Sequence, residues 1–307
     1  MPMYVNQFGK WNVIVPHVVH EGKMTTIIGG WVNVSGTWKK FYTPMGNYGQ
    51  VITHSQQIVL PDNVGDSINV LCIGAGGGGG GGSNRTAHNP KGPGGGGGSG
   101  EITITTLSAS TFNLKSFSNQ TLYTLIGTGG TGGTACDGGY GAGADSGVGS
   151  VTGVSLSVIS VLNPIPQLIA YANGGNGGNG GYTNGKGGLP NFGGSGTDVV
   201  NFATAGGNAA SSTAGAGAAG FNIDVTVGKP NFYSVGYTGN PGVGNSGVSP
   251  LDLITGAQIP NGSYATSGGP YGGGGGGGGT NNEFLGEGPG TNGASGANGA
   301  IFIWWGY

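Results

Sequence analysis

Val70-Leu71-Cys72-Ile73-Gly74-Ala75-Gly76 opens the stretch on which the fold turns: an apolar, β-prone run passes without a break into glycine, which continues to Gly82. A flexible spacer has no use for such a strand. The same order recurs down the chain. Apolar segments at 102–107, 122–126, 154–169, 221–227 and 301–305 separate glycine blocks at 94–100, 127–149, 174–196, up to 220, 236–247, 268–279 and up to 299. Glycine makes up 77 of 307 residues, so the blocks dominate whatever the chain becomes.

The blocks carry a period. Gly174-Gly175-Asn176-Gly177-Gly178-Asn179-Gly180-Gly181 repeats every three residues, and Gly293-Ala294-Ser295-Gly296-Ala297-Asn298-Gly299-Ala300 does so again. Three residues make one turn of an extended polyproline II-like helix, which rises about 3.1 Å per residue, so the run 74–82 would reach about 28 Å. Such a helix bonds nothing internally. Packed side by side, with only hydrogen on each Cα, several can pair N–H and C=O groups between helices, and glycine becomes the core residue. The expected fold is mainly β, with a small N-terminal β module, a glycine-rich domain of short strands and packed polyglycine II helices, and essentially no α-helix. If the tracts are too irregular, they become tight extended connections on a β-sheet. Collagen is disfavoured, because the triplet register breaks within each block and proline numbers only 15.

Residues 1–48 read differently. Val5-Asn6-Gln7-Phe8-Gly9-Lys10-Trp11 is echoed by Val32-Asn33-Val34-Ser35-Gly36-Thr37-Trp38, each copy a strand, a turn at glycine and a second strand bearing tryptophan. Met24-Thr25-Thr26-Ile27-Ile28 suggests one more strand, and Pro44-Met45-Gly46-Asn47 a linker. So small a module cannot bury all its aromatic residues, which makes Trp11, Trp31, Trp38, Phe41 and Tyr42 candidate anchors for a partner. The competing reading puts Trp11 and Trp38 in a minicore of their own. The expected domains are 1–48 and 49–307.

Charge is sparse, with 9 Lys and Arg against 11 Asp and Glu and no basic run, so the chain is not expected to grip nucleic-acid phosphates. No stretch reaches the 18 apolar residues of a membrane span, and residues 1–48 do not read as a secretory signal. Cys72 reads as a small buried thiol, and nothing favours a bridge to Cys136. No cofactor, metal or catalytic residue is expected. Gly185-Lys186-Gly187-Gly188 lacks the hydroxyl residue of a phosphate loop, and no helix follows 74–82 as a dinucleotide fingerprint requires. His17 and His20 beside Glu21 lack a further ligand set, His54 and His88 stand alone, and Asp137 and Asp145 miss the spacing of a calcium nonapeptide.

The Gly-Lys-Trp and Gly-Thr-Trp-Lys-Lys-Phe-Tyr repeats resemble short modules of bacteriophage tail, tail-fibre and baseplate proteins. The stretch from Ile58-Val59-Leu60-Pro61 through Ile73-Gly74-Ala75, together with Tyr123-Thr124-Leu125-Ile126-Gly127 and Asn298-Gly299-Ala300-Ile301-Phe302-Ile303, resembles the glycine-rich domain of phage tail proteins. Within that group the chain is similar to tail-fibre tip adhesins with a polyglycine II core. That resemblance implies a virion protein made in the host cytoplasm. It docks on other tail or fibre proteins through its N-terminal segment and binds an outer-membrane protein or surface glycan through loops between tracts. The irregular blocks and long apolar inserts also suit a structural tail-tip, fibre or baseplate component that never touches the receptor. Aromatic residues among Asn, Ser and Thr in the connections supply contact area at low entropy cost. Tyr182, Phe192, Tyr237, Tyr264 and Tyr271 are the candidate receptor-binding set.

Overall fold

The structure is a computed structural model. It describes residues 51–83, 92–136, 143–160, 164–181, 185–189, 205–206, 208–209, 214–224, 231–237, 271–279 and 290–305, with the strand positions between 3 and 47. The fold is mainly β, its sheets are antiparallel, and no α-helix occurs among the described residues.

Three hairpins open the chain: β1 (Met3–Gln7) with β2 (Lys10–Ile14), β3 (His17–His20) with β4 (Lys23–Thr26), and β5 (Gly30–Val34) with β6 (Thr37–Tyr42). The two tryptophan-bearing copies are equivalent in register, since Asn6 pairs with Trp11 and Asn33 with Trp38. The middle hairpin places His17 opposite Thr26 and His20 opposite Lys23, so these histidines belong to a strand. Gly46–Asn47, read above as a linker, is strand β7.

The next strands are β8 (Gln57–Val59), β9 (Ser67–Ile73), β10 (Ile102–Ser108), β11 (Thr121–Leu125), β12 (Thr152–Ser155), β13 (Ala170–Ala172), β14 (Ala219–Asp224), β15 (Asn231–Tyr237) and β16 (Ala300–Trp305). One sheet runs β10-β9-β16-β7 and another β13-β12-β11-β8, while β14 and β15 form a hairpin. Strand periodicity sorts the side chains of β9 and β16 onto two faces. Ile68, Val70, Cys72, Ile301, Ile303 and Trp305 share one apolar core with Ile58, Leu122, Val154 and the fully buried Phe117. Leu71, Ile73, Phe302 and Trp304 build a second cluster on the opposite face. These central strands are buried on both sides, which is why they read as continuous apolar runs.

Most of these strands continue into, or receive, a glycine tract. Tract one (74–82) follows β9, and tract two (92–101) leads into β10. Tract three (127–136) follows β11, and tract four (143–151) leads into β12. Tract five (173–181) follows β13, and tract six (271–279) is succeeded by tract seven (290–299), which leads into β16.

Every N–H from Gly74 to Gly82 donates to another tract, at 2.8–3.2 Å, with a three-residue period. Gly74, Gly77 and Gly80 donate to Glu101, Gly98 and Gly95 of tract two. Ala75, Gly78 and Gly81 donate to Ser150, Gly147 and Ala144 of tract four. Gly76, Gly79 and Gly82 donate to Ala297, Ala294 and Thr291 of tract seven. The falling numbers make these three neighbours antiparallel. The carbonyls of tract one accept, in rising order, from Gly175, Gly178 and Gly181 of tract five, from Gly130, Gly133 and Cys136 of tract three, and from Gly275 and Gly278 of tract six, which are therefore parallel. The six neighbours also bond to one another around the ring, two to five, five to four, four to three, three to seven, seven to six and six to two. Tract one is thus the axis of a closed six-membered ring of alternating direction.

This arrangement demands glycine for a steric reason. A Cβ built at Gly78 would overlap the carbonyl of Thr131, at Gly79 that of Gly276, and at Gly80 that of Asn179. A buried backbone group left unpaired costs about 1–3 kcal/mol, so tracts that lack side chains to fill space must still satisfy every N–H and C=O. The number of neighbours sets the composition. Tract two touches tracts one, five and six and also bonds to 185–189 and 215–218, and its run from Gly94 to Gly98 is unbroken glycine. Tracts three and seven lie on the flank and admit a side chain at every third position: Thr128, Thr131 and Thr134 are exposed, as are Asn292, Ser295 and Asn298.

Candidate interaction surfaces

The ring has two distinct ends, fixed by where tracts meet strands. At the proximal end tract one emerges from β9, tract two enters β10 and tract seven enters β16, with Gly74 N–H bonded to the Glu101 carbonyl and Gly100 N–H to the Gly272 carbonyl. Glu101 is fully buried there, and its carboxylate accepts the Asn173 N–H at 3.1 Å, tying β10 to the start of tract five. Gly272, with φ +72°, turns the chain into tract six beside Ile73.

At the distal end the tracts that lead away from the sheets finish level with one another. The Gly82 carbonyl accepts from Cys136 at 3.2 Å, the Gly81 carbonyl from Gly181 at 2.9 Å, and Gly279 is bonded to Thr291 at 2.9 Å. The Ser83 hydroxyl donates to the Gly92 carbonyl at 2.7 Å. The last described residues before, and the first after, the connections from tract one to two, three to four and six to seven all lie at this end, as do those on either side of the link from tract five to 185–189. Strand β7 lies at the other pole, paired with Trp304 and Trp305 where β16 is farthest from the ring. The chain therefore passes from the N-terminal hairpins into the body at the pole opposite the connections.

The sequence-based candidates distribute unevenly over this frame. Tyr182, Phe192 and Tyr264 lie outside the described residues; Tyr182 directly follows Gly181 at the distal end. Tyr237 is the last residue of β15, paired with Ala219. Tyr271 departs from the expected loop position: half-buried, it packs against the cluster of Leu71, Ile73, Ile102 and Phe302 at the proximal end. Apolar surface on the sheet packs against its ring, and the rest of the ring is open to solvent. Trp11 lies on β2, Trp31 on β5, and Trp38, Phe41 and Tyr42 on β6. Gly30 pairs with Tyr42 and Trp31 with Lys40, which leaves Phe41 as the extra residue of a β-bulge.

Reasoning on aromatics alone passed over the long flank of the ring, where tracts three and seven expose hydroxyls and amides at every third position. The Gly-Gly-Thr and Gly-x-Asn spacings were the available signal. Other reactive groups are committed to structure. Burial pushes the Cys72 thiol up to about 12, against the opposing effect of the Thr103 hydroxyl, so it is no nucleophile at neutral pH. Cys72 and Cys136 are not joined in a disulfide. No group of three or more His, Cys, Asp or Glu able to hold a metal occurs among the described residues, and no described helix is long and apolar enough to cross a membrane.

No curated protein matches the chain. The profile of the glycine-rich domain family matches residues 52–306, which hold the whole ring and strands β8 to β16, and the chain belongs to that family.

Proposed function

We propose that this protein is the adhesin at the tip of a bacteriophage tail fibre, its tracts polyglycine II helices that form a rigid body between an attachment pole and a receptor-binding pole. The observation that carries this reading is the polarity of the ring. The described residues that flank four connections lie together at the distal end, while β7, which follows the N-terminal hairpins, pairs with β16 on the opposite side. Loops held by a rigid scaffold are the usual carriers of recognition, and a tract body bonded in six directions is such a scaffold. The resemblance of the tryptophan repeats to phage tail modules supplies the partner at the other pole: residues 1–48 dock on another tail or fibre protein and residues 49–307 face the host.

The sparse charge favours a receptor recognised by shape, apolar contact and hydrogen bonds, an outer-membrane protein or a surface glycan. The protein works without chemistry of its own; it binds. Purified protein is added to susceptible bacteria before phage challenge. Saturable surface binding that blocks adsorption, weakened by Tyr182→Ala and unaffected by deletion of residues 1–42, supports the adhesin. Folded protein that binds no cells, with particles that fail to assemble in its absence, assigns it instead to a structural tail position. Particles that incorporate the protein normally without residues 1–42 rule out the docking role of the hairpins.

A further inference from the structure

The edge of a hydrogen-bonded lattice is a problem of the same kind as the edge of a β-sheet, because outward N–H groups offer a template for another chain. Tract three meets it in a specific way. Its Gly130 and Gly133 N–H groups point inward to tract one, whereas those of Gly129 and Ala135 point into the groove beside tract seven. There the Asn298 carboxamide oxygen accepts from Gly129 at 3.0 Å, and that of Asn292 accepts from Ala135 at 2.6 Å. Each carboxamide oxygen stands where the backbone carbonyl of an added tract would stand. The same solution appears in two further grooves. Asp145 of tract four accepts from Gly180 of tract five at 2.7 Å, and Asn208 accepts from Gly187 at 2.9 Å. Asn292, Asn298, Asp145 and Asn208 are all exposed, which places each of these acceptors at the outer edge of its groove.

We infer that Asn292, Asn298, Asp145 and Asn208 are edge caps, which close the lattice by occupying the acceptor positions of an added tract and so prevent a glycine tract of a second copy of this chain from docking along the flank. The chemistry fits the role. A carboxamide or carboxylate oxygen accepts as a peptide carbonyl does, and its one- or two-atom stem reaches the groove from the third position of a triplet. The side chain also fills the groove that an incoming backbone would need, which makes the cap both a bond and a block.

The test uses the full chain. Asn292→Gly/Asn298→Gly removes both caps of the groove between tracts three and seven and leaves only hydrogen at those positions. Sedimentation velocity over a concentration series is expected to show at least a doubling of mass relative to the wild type, with exchange of the Gly129 and Ala135 amides accelerated at low concentration. Asn292→Asp/Asn298→Asp retains an acceptor at each position and is expected to keep the wild-type mass. A folded glycine variant that stays at wild-type mass at every concentration overturns the inference. So does rapid exchange of Gly129 and Ala135 in the wild type, a reading that stands whether or not the variant folds.

Discussion

The two sheets and the glycine ring are built from the same continuous chain, yet they obey opposite rules. In β9 and β16 the backbone pairs with a strand on either side, and side chains alternate onto two apolar clusters, so stability lies in buried carbon. In tract one, the direct continuation of β9, pairing runs in six directions and the Ala75 methyl is the only side chain the tract itself carries. The sheet is damaged by losing volume and the ring by gaining it. A net gain of about 0.5–1.5 kcal/mol per hydrogen bond is modest, so the ring is held less by any one bond than by the cost of leaving any one unmade.

The largest effect that separates the regions is expected at the axis. Gly79→Val drives its first carbon into the Gly276 carbonyl with backbone on every side, so its cost should exceed the roughly 1–3 kcal/mol of ordinary overpacking. Chemical denaturation should then show no native transition; a variant with a near-wild-type midpoint would break the comparison. Phe117→Ala removes a fully buried ring that packs edge-on against Phe112 in the sheet core, and about 3–5 kcal/mol should be lost from a protein that still unfolds cooperatively. Gly177→Val probes the ring's periphery. The added carbon meets the carbonyl and hydroxyl of Ser146 and the Gly147 carbonyl, a side of the ring with fewer tracts beyond it, so a cost of about 1–3 kcal/mol is expected by thermal or urea melts. Thr131→Ala, on the exposed flank, should stay within about 0.5 kcal/mol of the wild type. A gradient that fell off in any other order from axis to flank would sharpen or displace the assignment of tract one as the centre.

Much of the sheet region was legible because its residues declare a period. The C-terminal end of β9 was found to the residue, and β10, β11 and β16 to within one or two, since β-branched residues and alternation mark both their conformation and their burial. The hairpin strand His17–His20 escaped notice because its histidines drew attention to metal chemistry, although Val18-Val19 before Glu21-Gly22 carried a strand-and-turn signal. Strand β7 was missed for a different reason: Gly46-Asn47 has turn composition, and only its partner β16 makes it a strand. The three-residue period of the ring could be read from Gly-Gly-Asn and Gly-Ala-x. Which tract lies beside which could not, because glycine has no side chain with which to name a partner. A partial signal did exist. Unbroken glycine at 76–82 marks a tract enclosed on all sides, and a polar residue at every third position marks one with a free flank. Which end of a tract Tyr271 occupies was not legible, because sequence cannot tell an aromatic residue beside a glycine tract at the sheet end from one at the distal end.

The N–H groups of residues 74–82 are bonded to neighbouring tracts along the whole length of the axis. Residue-resolved amide hydrogen exchange tests this most directly. The N–H groups of Gly74 to Gly82 are expected to exchange only with global unfolding, as slowly as those of β9, while in tract three Gly130 and Gly133 are protected to the same degree. Uniformly fast exchange across 74–82, in a protein whose β9 and β16 amides remain protected, would contradict it.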